Sequence, residues 1–360
     1  MFGLDVTDPA RFSARDVLWE LTAGNNLGHV LGEPLIVTLN DANNTKAVVF
    51  GNGINSTNGR SVLYVVNLAT GAVIQEIDTG VGGDNGMSAP RGWDDNGDGA
   101  VDYIYAGDMR GNLWKFDFTG TTASIAFGGE PMFTTASGQA ISAGLALARE
   151  PLTGRRWVFA GTGRFISNDD MEDTTTQSVY AMIDEGTDPI LRSDLAERNI
   201  VVVNGSARGF EAHGELQPGT KGWYLDLDEP SEGERVVSRP IVQGKVLIFA
   251  SIIPPIAEDP CDAGGSGYLN AIDAFSGTST GNPYFDSNGD GVVDNRDQLD
   301  HGDGQVPVGS INPGVGMPTL PTTIDNLMVV GGSKGTLADV TVNPQLGTPR
   351  RVSWREIVSD

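Results

Sequence analysis

The sequence predicts an all-β protein assembled from repeated short strands. Forty-nine glycines and 19 prolines occur without a period and argue against a helical protein, as does the scarcity of long amphipathic stretches. Runs rich in β-branched and aromatic residues recur instead, each closed by Gly, Asn or Asp. They include Ala47-Val-Val-Phe-Gly, Val62-Leu-Tyr-Val-Val, Tyr103-Ile-Tyr-Ala-Gly, Arg156-Trp-Val-Phe-Ala-Gly and Val246-Leu-Ile-Phe-Ala.

These runs come in pairs. A strand ending in glycine is followed by a second strand carrying an aromatic residue and an aspartate or asparagine. The second strands are Tyr64-Val-Val-Asn-Leu, Leu113-Trp-Lys-Phe-Asp, Val179-Tyr-Ala-Met-Ile-Asp, Trp223-Tyr-Leu-Asp-Leu and Tyr268-Leu-Asn-Ala-Ile-Asp, two of them leading into Thr70-Gly71 and Ser276-Gly277 turns. A spacing of roughly 45 to 65 residues matches a four-stranded blade with insertions and predicts a β-propeller. Radial closure also leaves few open strand edges. A pair of β-sandwiches is the rival arrangement. Trp114, Trp157, Trp223 and Trp354 read as blade core, whereas Trp19 and Trp93 are left open as surface residues. One short helix is expected over 188–199. Loops are expected over 167–177, over 254–267 (which holds Cys261), and over 278–318.

Composition bounds the function. Forty-seven acidic against 23 basic residues give a net charge of −24. This sign disfavours nucleic acid and anionic membrane surfaces. Residues 246–257 form the most apolar segment, which is too short to span a bilayer and carries Pro254-Pro255, so no membrane insertion is expected. Met1-Phe-Gly-Leu-Asp is not a signal peptide. Lone Cys261 cannot form a disulfide within the chain. His29, His213 and His301 match no metal or catalytic spacing, and neither a phosphate-binding loop nor a nucleophile elbow is present. A non-enzymatic protein is expected.

One segment does carry chemistry. Asp286, Asn288, Asp290 and Asp294 stand at positions 1, 3, 5 and 9 of a loop, with Gly291 at 6 and the Val292 carbonyl at 7. This is the arrangement of a calcium loop, because the hard cation takes six to eight oxygens and the glycine permits the sharp turn. Two carboxylates roughly 5 Å apart repel by about 3 kcal/mol at an effective dielectric near 20, so converging aspartates favour a cation. Position 12 is Asp297 instead of the longer bidentate Glu, which predicts an affinity on the order of 1–100 micromolar. A second copy places Asp94, Asn96, Asp98, the Ala100 carbonyl and Asp102 in the same pattern. Ordinary Asx turns use the same residue types, so the spacing is what distinguishes the two readings.

The ordered strings resemble the C-terminal propeller of the PilC/PilY family of type IV pilus biogenesis and adhesion proteins. They run from Leu4-Asp-Val-Thr-Asp-Pro9 and Leu18-Trp-Glu through Val49-Phe-Gly-Asn-Gly53, Asp98-Gly-Ala-Val-Asp102, Tyr105-Ala-Gly-Asp-Met-Arg-Gly-Asn-Leu-Trp-Lys-Phe-Asp117, Gly161-Thr-Gly-Arg-Phe165 and Thr176-Gln-Ser-Val-Tyr180. Gly222-Trp-Tyr-Leu-Asp-Leu, Gly233-Glu-Arg-Val-Val, Pro260-Cys-Asp-Ala-Gly-Gly and Arg350-Arg-Val-Ser-Trp-Arg-Glu356 complete the series. The resemblance implies a modified seven-bladed propeller occupying residues 1–360 as one domain that begins inside an early blade, with a calcium-loop insertion at about 278–318. It further implies Ca2+ bound by Asp286, Asn288, Asp290, Val292 and Asp294, with occupancy linked to pilus extension, retraction and twitching motility. The implied partners are pilin or minor pilins at the pilus tip and a host-surface receptor. The implied location is the fimbrium and cell surface, reached through the periplasm, with association at the outer membrane. No Arg-Gly-Asp tripeptide is present to bind integrins. Two rival readings are a pyrroloquinoline-quinone dehydrogenase propeller, which Leu63-Tyr-Val-Val-Asn-Leu-Ala-Thr-Gly resembles, and an integrin-α-like adhesion propeller. The first lacks its vicinal cysteine pair, and the second would repeat its calcium loop in consecutive blades.

Overall fold

In the computed structural model, residues 1–21, 24–255 and 264–343 are described. Cys261, Trp354 and the 350–356 string lie outside them. The described residues form 26 strands and five short 3-10 turns, so the all-β expectation holds.

Four sheets are built mainly from antiparallel strands, and in the first two these strands follow one another in the chain. The first holds Leu35–Thr38, Lys46–Gly51, Val62–Asn67 and Val73–Asp78 in chain order. The second holds Arg91–Trp93, Tyr103–Gly107, Asn112–Asp117 and Ser124–Ile125. The third joins Ala146–Arg149, Arg156–Gly161, Gln177–Ile183 and Gly222–Leu227, and Ala196–Arg198 lies parallel at its edge. The fourth runs Ile241–Gln243, Val246–Ile253, Ser266–Asp273, Gly304–Ile311, Ala207–Phe210 and Ile200–Asn204. A three-stranded sheet follows at Thr322–Ile324, Leu327–Gly331 and Leu337–Thr341, and a hairpin of Phe2–Leu4 with Val17–Glu20 precedes the series. We call the five larger sheets blades 1 to 5.

Central strands such as Val62–Asn67 and Gln177–Ile183 are buried on both faces. Their apolar runs therefore lack the in–out alternation of a one-sided sheet. Apolar clusters join residues of neighbouring blades. Val49, Leu63 and Val65 of blade 1 share one with Ile104, Trp114 and Phe116 of blade 2. Trp157, Phe159 and Trp223 of blade 3 share another with Leu247, Phe249 and Ile272 of blade 4.

The glycine that closes the first strand of the pair in blades 1, 2 and 3 has a spatial reason. At Gly51 an added Cβ would lie 2.2 Å from the Ser88 carbonyl oxygen and 2.4 Å from that of Met87. The segment entering blade 2 thus crosses directly over the end of blade 1. Isolated bridges repeat at equivalent places in all five blades: His29 with Ile54, Met87 with Asp108, Ile141 with Gly163, Arg235 with Ile252, and Pro318 with Gly332. Because both obstructing atoms are backbone, Gly51→Ala should cost about 2–3 kcal/mol, seen as a lower Tm with an unchanged β-rich circular dichroism spectrum. An unaltered Tm would show that the crossing has slack. In blade 2 the polar residue after the closing glycine bonds this crossing segment. Buried Asp108 accepts from the Asn85 amide, the Asn112 backbone and the Trp114 indole at 2.8–3.0 Å.

Three expectations need correction. Residues 278–318 are not one loop, because Gln298–His301 and Gly304–Ile311 are strands and the second is a central strand of blade 4, paired with Ser266–Asp273 and Ala207–Phe210. Residues 188–199 form no α-helix, but a 3-10 turn at Arg192–Asp194 followed by the strand Ala196–Arg198. Pairing with Gly222–Leu227 and burial of Ile190 and Leu195 hold the segment extended, so tertiary contacts override its modest helical propensity. Trp19, left open as a surface residue, is buried, and its indole N–H donates to the Leu68 carbonyl at 2.8 Å. Trp93 is half-buried, and Trp114, Trp157 and Trp223 are core residues as expected.

Candidate metal centre

The 286–297 loop emerges where blades 4 and 5 meet. Tyr284 and Phe285 are buried just before it and packed edge to face at 5.0 Å. Burial pushes the Tyr284 hydroxyl up to about 12. Phe285 bridges to Val342, and the Asp286 amide donates to the Thr341 carbonyl at 3.0 Å. The loop's entry is therefore stitched to the last described strand of blade 5, while its exit runs into the strand Gln298–His301, which pairs with Gly304–Ile311 of blade 4.

Inside the loop the side-chain oxygens organise the backbone. Asp286 accepts from the Gly289 amide at 2.7 Å and the Gly291 amide at 2.8 Å. Asn288 accepts from the Asp290 amide, and Asp290 from that of Val292. Gly289 and Gly291 have φ of 74° and 86°, the left-handed region that glycine adopts without strain. Asp297 is fully buried and accepts from the backbone of Ser287 at 2.7 Å, Asn288 at 3.3 Å and Asp294 at 2.9 Å.

The 94–102 loop repeats this ladder. Asp94 accepts from Gly97 and Gly99, Asn96 from Asp98, and Asp98 from Ala100. Here Asp102 is the buried anchor, accepting from the Asp95 amide at 2.7 Å and the Asn96 amide at 3.3 Å. The structural counterpart of Asp102 is therefore Asp297, at position 12, and not Asp294. Sequence spacing aligned the two position-9 aspartates and ranked Asp297 as a shortfall; the backbone contacts give it the anchoring place.

Each loop meets arginine differently. In the first, Arg296 forks between Asp290 at 2.8 Å and Asp294 at 2.7 Å, and its hydrogen bonds hold the Asp294 carboxyl below the usual range. In the second, the arginines grip Asp95, which lies outside the expected ligand set. Arg149 and Arg156 of blade 3 each approach Asp95 Oδ1 at 2.9 Å, and Trp93 Nε1 donates to it at 3.0 Å. That indole bond is the chief reason the Asp95 carboxyl sits low. Arg156 also donates to Asp184 at 2.9 Å, where Lys115 and the Tyr105 hydroxyl converge as well. Burial drives the Tyr105 hydroxyl upward. No sequence signal marks Asp95, because its arginine partners come from another blade.

Asp286, Asn288, Asp290, the Val292 carbonyl and Asp294 thus lie on one exposed or half-exposed turn. Counting His, Cys, Asp and Glu alone, no group of three among the described residues is gathered as metal ligands are. The loop's donor set mixes carboxylates with an amide and a carbonyl oxygen, and Arg296 stands between two of its aspartates. The set still suits a hard cation. Every donor is oxygen, and an oxygen that accepts one amide keeps a lone pair for an ion. All three histidines are exposed, in keeping with their reading as surface residues. Among the described residues no helix is long and apolar enough to cross a membrane.

A family model described as the PilY1 beta-propeller domain matches residues 2–195. The chain is 36% identical over 373 residues to the type IV pilus biogenesis factor PilY1 homolog of Xylella fastidiosa, covering 99% of this chain and 29% of that protein. It is 31% identical over 411 residues to the type IV pilus biogenesis factor PilY1 of Pseudomonas aeruginosa, covering 99% of this chain and 34% of that protein. The crystal structure of the P. aeruginosa PilY1 C-terminal domain superposes with a TM-score of 0.79 at 28% identity, over 95% of this chain and 77% of that one. The chain therefore spans well under half the length of the curated relatives it matches.

Proposed function

This chain belongs to the PilY1 β-propeller family, and from that premise we propose that it is a non-enzymatic, calcium-responsive module of a type IV pilus biogenesis factor. The observation that carries the reading is the shared amide ladder of the two loops, each built from oxygen donors and closed by a buried aspartate. A calcium ion, when bound, supplies the positive charge that lets Asp286, Asp290 and Asp294 lie together.

The chain's own residues transmit the change. Asp286 is bonded to the blade 5 strand through its amide, and the loop's exit hairpin pairs with blade 4. Ordering the loop stiffens the contact between these two blades and favours one docking state toward pilin or minor pilins at the pilus tip, by the difference in ion affinity between the states. Pilus extension, retraction and twitching motility follow that docking state. Attachment to a host-surface receptor and a fimbrial, surface-exposed location reached through the periplasm belong to the same reading, as do the single 1–360 domain with its calcium-loop insertion before Gln298 and the seven-bladed ring. Six sheets among the described residues support the ring. In the 94–102 loop, Asp94, Asn96, Asp98 and the Ala100 carbonyl offer a second set of oxygens, with Asp102 as anchor.

The test is calcium titration by calorimetry. Asp290→Ala should abolish saturable binding at the 286–297 loop and leave the β-rich circular dichroism spectrum intact. In cells it should change twitching motility or surface piliation. A wild-type chain that takes up no calcium would remove the site, and an unaffected motility phenotype would remove the switch.

A further inference from the structure

Arg296 sits inside the loop, and its guanidinium occupies oxygens that an ion would need. Nη1 lies 2.8 Å from Asp290 Oδ2, Nη2 lies 2.7 Å from Asp294 Oδ2, and Nε lies 3.1 Å from each Asp294 oxygen. The arginine side chain is 63% exposed, so the two carboxylates hold it, and packing does not. It spans positions 5 and 9 of the expected ligand set as one cation bridging two anions. In the 94–102 loop the geometry differs. There Arg149 and Arg156 take Asp95, while the ladder residues Asp94 and Asp98 have no ion pair among the described residues.

We propose that Arg296 is an internal competitor of calcium. In the metal-free loop its guanidinium neutralises Asp290 and Asp294, and ion binding requires that fork to open and the arginine to swing into solvent. This rests on the calcium reading given above. It adds a setting for the affinity: the loop responds only when calcium outcompetes a tethered cation, which raises the calcium concentration at which the loop orders. Tethering matters because the arginine is two residues from Asp294 and is always present at high effective concentration. An ion that binds the open loop shifts the equilibrium only by what it gains over the closed fork. The 94–102 loop lacks this restraint on its ladder carboxylates.

The experiment is calcium calorimetry on the whole chain as wild type, Arg296→Gln and Arg296→Lys, with Asp290→Ala marking the heat that belongs to this loop. Arg296 is exposed, so the variants should fold, and circular dichroism verifies it. Arg296→Gln should bind about three- to tenfold more tightly, the range that two exposed ion pairs can supply. Arg296→Lys, which keeps the charge and loses the fork, should fall between. Equal affinities in all three proteins, or weaker binding by Arg296→Gln, would overturn the competitor role while leaving the calcium reading in place. Absence of loop heat in every variant would remove the calcium reading, and this proposal with it.

Discussion

Glu234→Gln should lower the unfolding free energy by about 3–5 kcal/mol, because it strands a buried guanidinium. Arg208 and Glu234 are both fully buried, and their side chains form a two-pronged pair at 2.7 and 2.9 Å. The remaining guanidinium donors reach the Ser310 hydroxyl, the Asn270 amide oxygen and the Glu229 carbonyl, and the group lies 3.6 Å from the centre of the Tyr268 ring. Ser251 donates to the Glu234 carboxylate. Every charge in this cluster is matched, so stability depends on the partnership and not on either residue alone. Removing one negative charge leaves Arg208 with no water to turn to. Replacing both residues with apolar side chains of similar volume should cost far less. Denaturant titration of the single and double variants decides the matter: equal loss in both would mean that packing, not charge, is at stake.

Trp223→Ala is expected to cost a similar amount, about 3–5 kcal/mol. The indole is fully buried in the cluster shared by blades 3 and 4. Its N–H donates to the Ala274 carbonyl at 2.9 Å, and its ring lies over Gly277, where an added Cβ would be 2.4 Å from Cδ2. Trp223→Phe should lose less, since it keeps an aromatic ring and gives up one hydrogen bond. Thermal unfolding of the two variants gives the comparison, and equal destabilisation would rule out a separate contribution from the ring.

What the sequence made legible was local. The strands at Lys46–Gly51, Val62–Asn67 and Gln177–Ile183 fall where β-branched and aromatic runs end in glycine or a polar residue, because strand propensity and turn chemistry act over a few residues. The oxygen ladder of 286–297 was legible for the same reason. What escaped depends on distant partners. Trp19 finds its carbonyl 49 residues away. Asp95 meets arginines of another blade, and 196–198 becomes a strand only because Gly222–Leu227 lies beside it. Asp297 was visible in the sequence at position 12, but its place as the buried anchor of the loop appears only in its bonds to the Ser287 and Asp294 backbone.

The two tryptophan-on-turn contacts follow one plan. Trp19 donates to Leu68 and covers Gly71, and Trp223 donates to Ala274 and covers Gly277, so each indole bonds the carbonyl three residues before the glycine it shields. The indole belongs to one sheet and the glycine to the next. A methyl group introduced at Gly71 or Gly277 would therefore push on a neighbour instead of on its own hairpin. Partners of this kind can be exchanged only together, and each unit of the repeat constrains what its successor can become.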